Sequence, residues 1–256
     1  MAHRLENKVA FITGGNSGIG LESAREFAAE GADVVILARS QEKADQALAE
    51  IGGSATAVIG DVSDLGSLKA AYDVIKQKFG HLDIVMANAG IAKPGVLNDA
   101  DEAHFDAIFD VNAKGTFFTV KYALPLLREG SSVILVSSSL SEMGMEGFSV
   151  YNASKAAIRS FARSLTLDLT RIGARINVLS PGPISTDVLE KAGLTGDQIE
   201  AQHAVFDKVL AAGRVGRPEE MAKAALFLAS DDSSYLYGAD LAADGGMNQT
   251  RWPTNV

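Results

Sequence analysis

Residues 151–155 read YNASK, which puts Lys155 one helical turn beyond Tyr151. Side chains four apart on a helix share a face, so an ammonium can stand beside a phenol and change its acidity. A phenol with an ordinary pKa near 10 is a poor base at neutral pH, and lowering it by about two units takes roughly 3 kcal/mol. An ammonium about 5 Å away, at an effective dielectric of about 20, supplies approximately that much. The chemistry on offer is proton transfer to or from a substrate oxygen. Spacing alone settles nothing, because residues 72–76 read YDVIK and repeat the pattern with Tyr72 and Lys76. Whatever separates the two pairs must come from the elements that carry them.

Short runs rich in Val, Ile and Leu occur at 9–13, 33–38, 56–60, 83–87, 132–137, 175–180 and 238–243. Near-continuous apolar character in such short runs is what strands covered on both faces require. Helical patterns lie between them. Ala24, Phe27 and Ala28 line one face while Glu22, Arg25 and Glu26 line the other. Pro218 opens a helix that places Met221, Ala224, Ala225 and Leu228 at i, i+3, i+4 and i+7. This alternation predicts a single α/β domain over residues 1–256, a Rossmann-type, doubly wound parallel sheet of about seven strands with helices on both faces. Such sheets hold ligands beyond the carboxyl ends of their strands, which directs attention to the residues that follow each one.

The first strand runs into TGGNSGIG, residues 13–20. Gly14, Asn16, Ser17, Gly18, Ile19 and Gly20 form a turn whose backbone can approach a pyrophosphate at a helix N-terminus. A tight strand-to-helix turn with no ligand is the plainer alternative. After the second strand come Ala38, Arg39 and Ser40, where an Asp or Glu would grip the free hydroxyls of an adenosine ribose. A guanidinium and a hydroxyl suit a 2′-phosphate instead, which favours NADP(H) over NAD(H); otherwise Arg39 is a solvated surface residue. Asp61 and Val62 follow the third strand, and Asn88, Ala89 and Gly90 the fourth. Asp61 is placed to accept from an adenine amino group and Gly90 to let the chain pass a ribose, though both also fit ordinary turn chemistry.

Asn112 stands at the i+7 position of a stripe set by Phe105, Ile108 and Phe109. A buried amide left unbonded costs about 1–3 kcal/mol, so Asn112 either satisfies a neighbouring backbone group or serves the site. The fifth strand ends in VSSS, residues 136–139, where the Ser138 hydroxyl can face the crevice. Gly144 and Gly147 then let the chain turn back and bring Tyr151 toward it. Tyr72 lies mid-helix with no comparable partner at a strand end. Context separates the pairs.

These landmarks (TGGNSGIG, Asp61, NAG, Asn112, Ser138, YNASK and SPGPIST at 180–186) stand in an order that resembles the short-chain dehydrogenase/reductase family over essentially the whole chain. More narrowly, the chain is similar to bacterial NADP-dependent alcohol dehydrogenases or carbonyl reductases of secondary alcohols and ketones. The resemblance implies Asn112, Ser138, Tyr151 and Lys155 as the catalytic group, with Tyr151 and Lys155 also touching the cofactor. In this reading Ser138 polarises the carbonyl and Asn112 orders a water that leads a proton from Lys155 to solvent. The resemblance also implies that Pro181, Gly182, Ile184 and Thr186 hold the nicotinamide amide, and that the protein is a homotetramer. Two positions depart from the family pattern. Ala87 stands where many relatives carry a second asparagine, and Ser17 where many NADP-using members carry a basic residue, which leaves Arg39 as the main cationic anchor.

Composition removes other classes. A net charge of −9 disfavours a nucleic-acid surface, and the absence of cysteine excludes disulfides, thiol catalysis and thiolate metal sites. The N-terminal stretch MAHRLENKVAFIT has no apolar run long enough for a signal peptide or membrane span, so a cytoplasmic protein is expected. His3, His81, His104 and His203 are far apart, without metal-ligand spacing, and are expected at the surface. Residues 186–212 are expected to form a helical substrate lid. Leu140, Met143, Met145, Phe148, Val188, Leu189 and Phe206 are candidate walls of an apolar pocket for a ketone or secondary alcohol. Helices over 116–127 and 151–171 carry apolar residues on more than one face, suited to another subunit. The tail from Asn248, polar apart from Trp252, either frames a neighbouring site or frays.

Two rivals remain beside an NAD-preferring member of the same family. One is a non-catalytic sensor that binds a dinucleotide; the joint presence of Asn112, Ser138, Tyr151 and Lys155 favours the enzyme. The other is an epimerase or dehydratase of nucleotide sugars, for which the sequence after the seventh strand leaves no room for a second domain.

Overall fold

The computed structural model describes residues 3–186 and 195–250. Among these, β1 (Val9–Thr13), β2 (Asp33–Ala38), β3 (Thr56–Ile59), β4 (Leu82–Ala87), β5 (Leu127–Val136), β6 (Arg175–Pro181) and β7 (Asp240–Ala243) form one parallel sheet in the order β3-β2-β1-β4-β5-β6-β7. The helices are α1 (Gly18–Ala29), α2 (Gln41–Ile51), α3 (Leu65–Lys78), α4 (Glu102–Phe109), α5 (Thr116–Ala123), α6 (Ser149–Thr170), α7 (Gly196–Val209) and α8 (Pro218–Ala229). The doubly wound α/β architecture read from the sequence is the one observed. No described helix is long and apolar enough to cross a membrane.

Two-sided burial explains why the strands read as unbroken apolar runs. Phe11, Val35, Leu37, Val85 and Ala87 join a core layer with Leu68, Tyr72 and Ile75 of α3 and Ile158 and Ala162 of α6. Their strand neighbours Ala10, Ile12, Val34, Ile36, Ile84 and Met86 face the other way, toward Ala24 and Phe27 of α1 and Met221 and Leu226 of α8. Successive side chains of a strand point to opposite faces, so both sets must be apolar. Burying a residue such as Phe11 or Ile12 completely contributes about 1.5–3 kcal/mol. The sheet is thereby a rigid base from which strand ends project.

Several elements differ from the sequence reading. β5 begins five residues early, with an irregular register between Leu82 and Ile84, and only its second half is buried. The helix expected over 116–127 stops at Ala123, just before Pro125, which cannot continue it. Between α4 and α5 the chain widens into a π-helical turn, Asp110–Gly115. The buried stripe leading to Asn112 is His104 and Ile108; Phe105 is 46% exposed and stacks on Phe109 with ring centres 4.5 Å apart. His104 is therefore not a surface residue: its imidazole packs under the Gly95 backbone, where a β-carbon would come within 2.7 Å of it.

Candidate active site

Strand order reverses about β1, which lies between β2 and β4, and the crevice at such a switch is where an α/β sheet accepts ligands. Gly14 and Gly18 adopt φ of 65° and 53°, a left-handed backbone that glycine takes without steric cost. A β-carbon on Gly20 would lie 2.3 Å from the Gly14 carbonyl oxygen. The first turn of α1 carries no acidic residue, so nothing there competes for the charge of a phosphate. The turn after β4 is bound to this one. The Thr13 hydroxyl accepts from the backbone N–H groups of Asn88 (3.0 Å) and Ala89 (3.1 Å), and the Asn88 amide donates to the carbonyls of Thr13 and Gly14. Asn88 thus shapes the glycine turn with its side chain. Thr13 went unnoticed in the sequence, where it reads only as a strand residue.

At the adenosine end, Arg39 is exposed and forms no hydrogen bond or ion pair among the described residues. Ser40 caps α2 by accepting from the Lys43 N–H at 3.5 Å, which leaves its own O–H able to donate. Asp61 follows the turn reading in part: its Oδ1 accepts from the Ser63 N–H and hydroxyl at 2.9 and 2.8 Å. The Val62 side chain is buried in the core and packs against Gly115. Across the crevice, a β-carbon on Gly18 would sit 3.2 Å from the Thr186 methyl. Gly182 fits closely against the Asp244 backbone, a packing reason for glycine there. Ile184 forms an isolated bridge to Gly216 through bonds made by Pro183 and Ser185, which turns its own N–H and C=O toward the opposite side.

Three consecutive residues at the end of β5 grip one turn of α6. The Val136 carbonyl accepts from Lys155 Nζ at 3.0 Å, the Ser137 hydroxyl donates to the Lys155 carbonyl at 2.8 Å, and the Ser138 hydroxyl shares a hydrogen bond with the Tyr151 hydroxyl. Ser138 also accepts from the Leu140 N–H, opening the short helical turn Ser139–Ser141. Lys155 is 4% exposed, and its ammonium lies 5.8 Å from the centre of the Tyr151 ring. Burial pushes Lys155 down to about 8. Burial raises the Tyr151 phenol, opposed by its bond to Ser138. The expected lowering of Tyr151 is not met because burial outweighs it: the phenol stands above its ordinary value, the bond favouring ionisation comes from Ser138, and Lys155 Nζ gives one of its three N–H donors to the Val136 carbonyl.

Asn112 is fully buried in the π turn, with its side chain engaged on three sides. Oδ1 accepts from the Ile91 N–H at 2.8 Å, and Nδ2 donates to the Ile91 carbonyl and to Ser154 Oγ, both at 3.0 Å. Its side chain thus satisfies neighbouring groups, as one of the two readings expected. Asn112 pins the segment after β4 to α6, one residue from Lys155. A β-carbon on Gly90 would lie 3.2 Å from Lys155 Nζ and 3.3 Å from Asn112 Oδ1, so glycine there keeps all three groups in contact. Ser137 and Ser154 escaped the sequence reading because serines beside a motif carry no periodic signal.

Of the pocket candidates, Leu140, Met143 and Phe206 pack together with Val209, Leu210 and Met247. Phe148 meets the Tyr151 ring edge-on at 6.0 Å. Met145 is half-buried outside that cluster. Val188 and Leu189, part of the proposed lid, and Trp252 lie outside the described residues; the helix expected within the lid is α7. A cleft of about 450 Å³ bordered by Ile184, Met221 and Gly245 touches none of Asn112, Ser138, Tyr151 and Lys155.

Comparison with known proteins bears on the same constellation. Residues 14–248 match the family model described as Enoyl-(Acyl carrier protein) reductase. Oxidoreductase asL5 of Sarocladium schorii is 44% identical over 249 residues, covering 96% of this chain and 98% of that protein. A solved structure titled as a short chain dehydrogenase/reductase family protein is 39% identical, with a TM-score of 0.83 over 96% of this chain and 99% of its own. The crystal structure of levodione reductase superposes with a TM-score of 0.91 at 29% identity, covering 97% and 100%.

Proposed function

Because the chain belongs to the short-chain dehydrogenase/reductase family, oxidoreductases that bind a nicotinamide dinucleotide, we propose that it exchanges a hydride between NADP(H) and a ketone or secondary alcohol. The observation that carries this reading is the paired hydroxyls of Ser138 and Tyr151 beside a buried Lys155. Two neighbouring O–H groups suit a single carbonyl oxygen, which needs polarising donors and a proton. An enoyl thioester also places charge on its carbonyl oxygen, but its proton must end on the α-carbon. A ketone takes its proton at the oxygen the two hydroxyls would hold, so carbonyl reduction is preferred over enoyl reduction.

The chain offers a cradle that fits the cofactor: a glycine turn too tight for side chains, a helix N-terminus free of acid, and at Arg39 a guanidinium unpaired among the described residues. Gly14, Asn16, Ser17, Gly18, Ile19 and Gly20 would hold the pyrophosphate, Arg39 and Ser40 the 2′-phosphate, and the Ile184 and Thr186 region the nicotinamide amide. When bound, the cofactor supplies the hydride and, once oxidised, a positive ring that favours ionised Tyr151. In reduction Tyr151 gives its proton to the substrate oxygen while Ser138 holds that oxygen. Lys155 orients Tyr151 and meets the ribose. Asn112 fixes the distance between the segment after β4 and α6. Leu140, Met143 and Phe206 would border the organic part of the substrate, and α5 and α6, with Leu167 72% exposed, offer apolar surface for a homotetramer.

The test is absorbance at the reduced-nicotinamide band with a panel of ketones and an enoyl thioester, NADPH and NADH run in parallel. Ketone-dependent NADPH oxidation is expected. Arg39→Asp should lower the preference for NADPH over NADH by about 10- to 100-fold, the worth of one charge-assisted contact of about 1.5–3 kcal/mol. An unchanged preference would show that Arg39 does not read the phosphate.

A further inference from the structure

Beside Ser138 lies a small polar cavity of about 100 Å³ bordered by Ser138, Ser141, Arg159, Ser180, Asp240 and Asn248. The short turn Ser139–Ser141 divides it from the apolar cluster: Leu140 packs with Met143 and Phe206, whereas Ser138 and Ser141 border the cavity. Asn248 ties this wall down by donating to the Ser139 carbonyl at 2.8 Å. Ser141 Oγ, Ser180 Oγ and Asp240 Oδ1 are buried and have no hydrogen-bond partner among the described residues. Ser180 is 3% exposed, and near the end of β6 its side chain falls on the same side of the sheet as Ile176 and Val178, toward α6. The other Asp240 oxygen pairs with Arg159, which also pairs with Glu142 at 2.5 Å. Buried polar atoms rarely go unmatched, and acceptors gathered in one cavity call for a group that can donate to them.

We propose that this cavity is a subsite for a hydroxyl group of the substrate, so that the ketone this protein reduces carries a hydroxyl close to its carbonyl, on the α- or β-carbon. The inference rests on the reductase reading above and names the substrate class of the same site. The short separation follows from Ser138, which would hold the carbonyl oxygen and is also a wall of the cavity. A hydroxyl both donates and accepts: it gives its hydrogen to Asp240 Oδ1 and takes one from Ser180 or Ser141. A carboxylate fits worse, since it has no hydrogen for Asp240 and meets a like charge there. An ammonium fits worse too, because the Arg159 guanidinium already stands between the two carboxylates. The apolar remainder of a hydroxyketone extends toward Leu140, Met143 and Phe206. A site built to bond a substrate hydroxyl rejects the analogue that lacks it, because the buried atoms are then left unmatched. Water entering the space beside a plain ketone softens that selection to about the worth of one hydrogen bond.

The test compares steady-state reduction of butanone with that of its α- and β-hydroxy derivatives, NADPH and NADH both supplied. At least one hydroxyketone should exceed butanone in kcat/KM by about tenfold or more. Ser180→Ala should cut that hydroxyketone-to-butanone ratio about tenfold, the worth of one hydrogen bond. Asp240→Asn, which keeps the side-chain shape and weakens the acceptor, should lower the ratio in the same direction and serves if the alanine variant folds poorly. A merely structural role would lower both substrates together and leave the ratio unmoved. Equal kcat/KM for butanone and both hydroxyketones, or a wild-type ratio in both variants, would overturn the subsite and leave the reductase reading standing. A wild-type protein that oxidises neither NADPH nor NADH with any ketone would instead sink the reductase reading, and the subsite with it.

Discussion

Two tyrosines carry a lysine four residues on, one in α3 and one in α6, and their surroundings differ. Tyr72 is buried in α3, edge-on to Phe11 at 5.0 Å, and its hydroxyl donates to the Thr119 carbonyl at 2.5 Å. Lys76 is exposed. A carbonyl can only accept, so Tyr72 is fixed as a neutral donor, and burial raises its phenol well above the ordinary value. The Tyr151 hydroxyl meets another hydroxyl, which can donate as well as accept, and its lysine is drawn inward under the strand end. Identical spacing therefore yields a structural strut in one place and, in the other, a hydroxyl whose partner can give as well as take a proton. The partner of the oxygen decides.

The largest effect that would break this contrast is on turnover. Tyr151→Phe should reduce kcat for ketone reduction about 10³-fold, as expected for loss of a general acid, while Tyr72→Phe stays within a factor of two. Equal losses in steady-state assays would mean that the spacing, not the partner, carries the chemistry.

Next comes the cost of burying an ammonium. Lys155 titrates near 8 in the folded chain against 10.5 when exposed. Below pH 8 both states are protonated and the native state bears the full penalty, as much as about 3 kcal/mol. Between pH 8 and 10.5 the unfolded chain binds more protons, so native stability rises with pH. Lys155→Met should abolish most activity yet raise the urea midpoint at pH 7, less what the Val136 carbonyl loses, and the gain should shrink as pH climbs through that window. A lower midpoint at neutral pH would place the lysine among stabilising residues instead.

Smaller still, Tyr72→Phe leaves the Thr119 carbonyl without its donor and should cost about 1–2 kcal/mol in denaturant unfolding. Lys76→Met should fall within about 0.5 kcal/mol of zero. A costly Lys76 substitution would mean the two pairs are more alike than their surroundings.

The sheet was legible because its strands alternate faces between two apolar layers, which leaves little ambiguity in runs such as VAFIT and DVVILA. The helix ends and the π turn were not, since a one-residue widening at Asp110–Gly115 has no compositional mark. It moved the buried stripe from Phe105 to His104. Among site residues, Ser138, Tyr151 and Lys155 came together because one strand end, one turn and the first two turns of α6 determine where they meet. The hydrogen-bonding partners did not emerge: that Asn112 would be consumed by Ile91 and Ser154, or that Asn88 would bind the glycine turn, depends on chain segments brought close only by the fold. The direction of the Tyr151 shift was misjudged because spacing sets the lysine near the phenol but does not show the burial that raises it.

The grip of Val136, Ser137 and Ser138 on a single turn of α6 has an evolutionary corollary. The loop between Ser141 and Ser149 lies outside those three bonds and touches α6 mainly through Phe148 on the Tyr151 ring and the Met143 carbonyl at Asn152, so its remaining residues can change while the Ser138, Tyr151 and Lys155 geometry stays. Substrate preference can therefore drift by loop exchange without renegotiating the reaction, whereas a one-residue slip of β5 would dismantle the reaction and spare the preference.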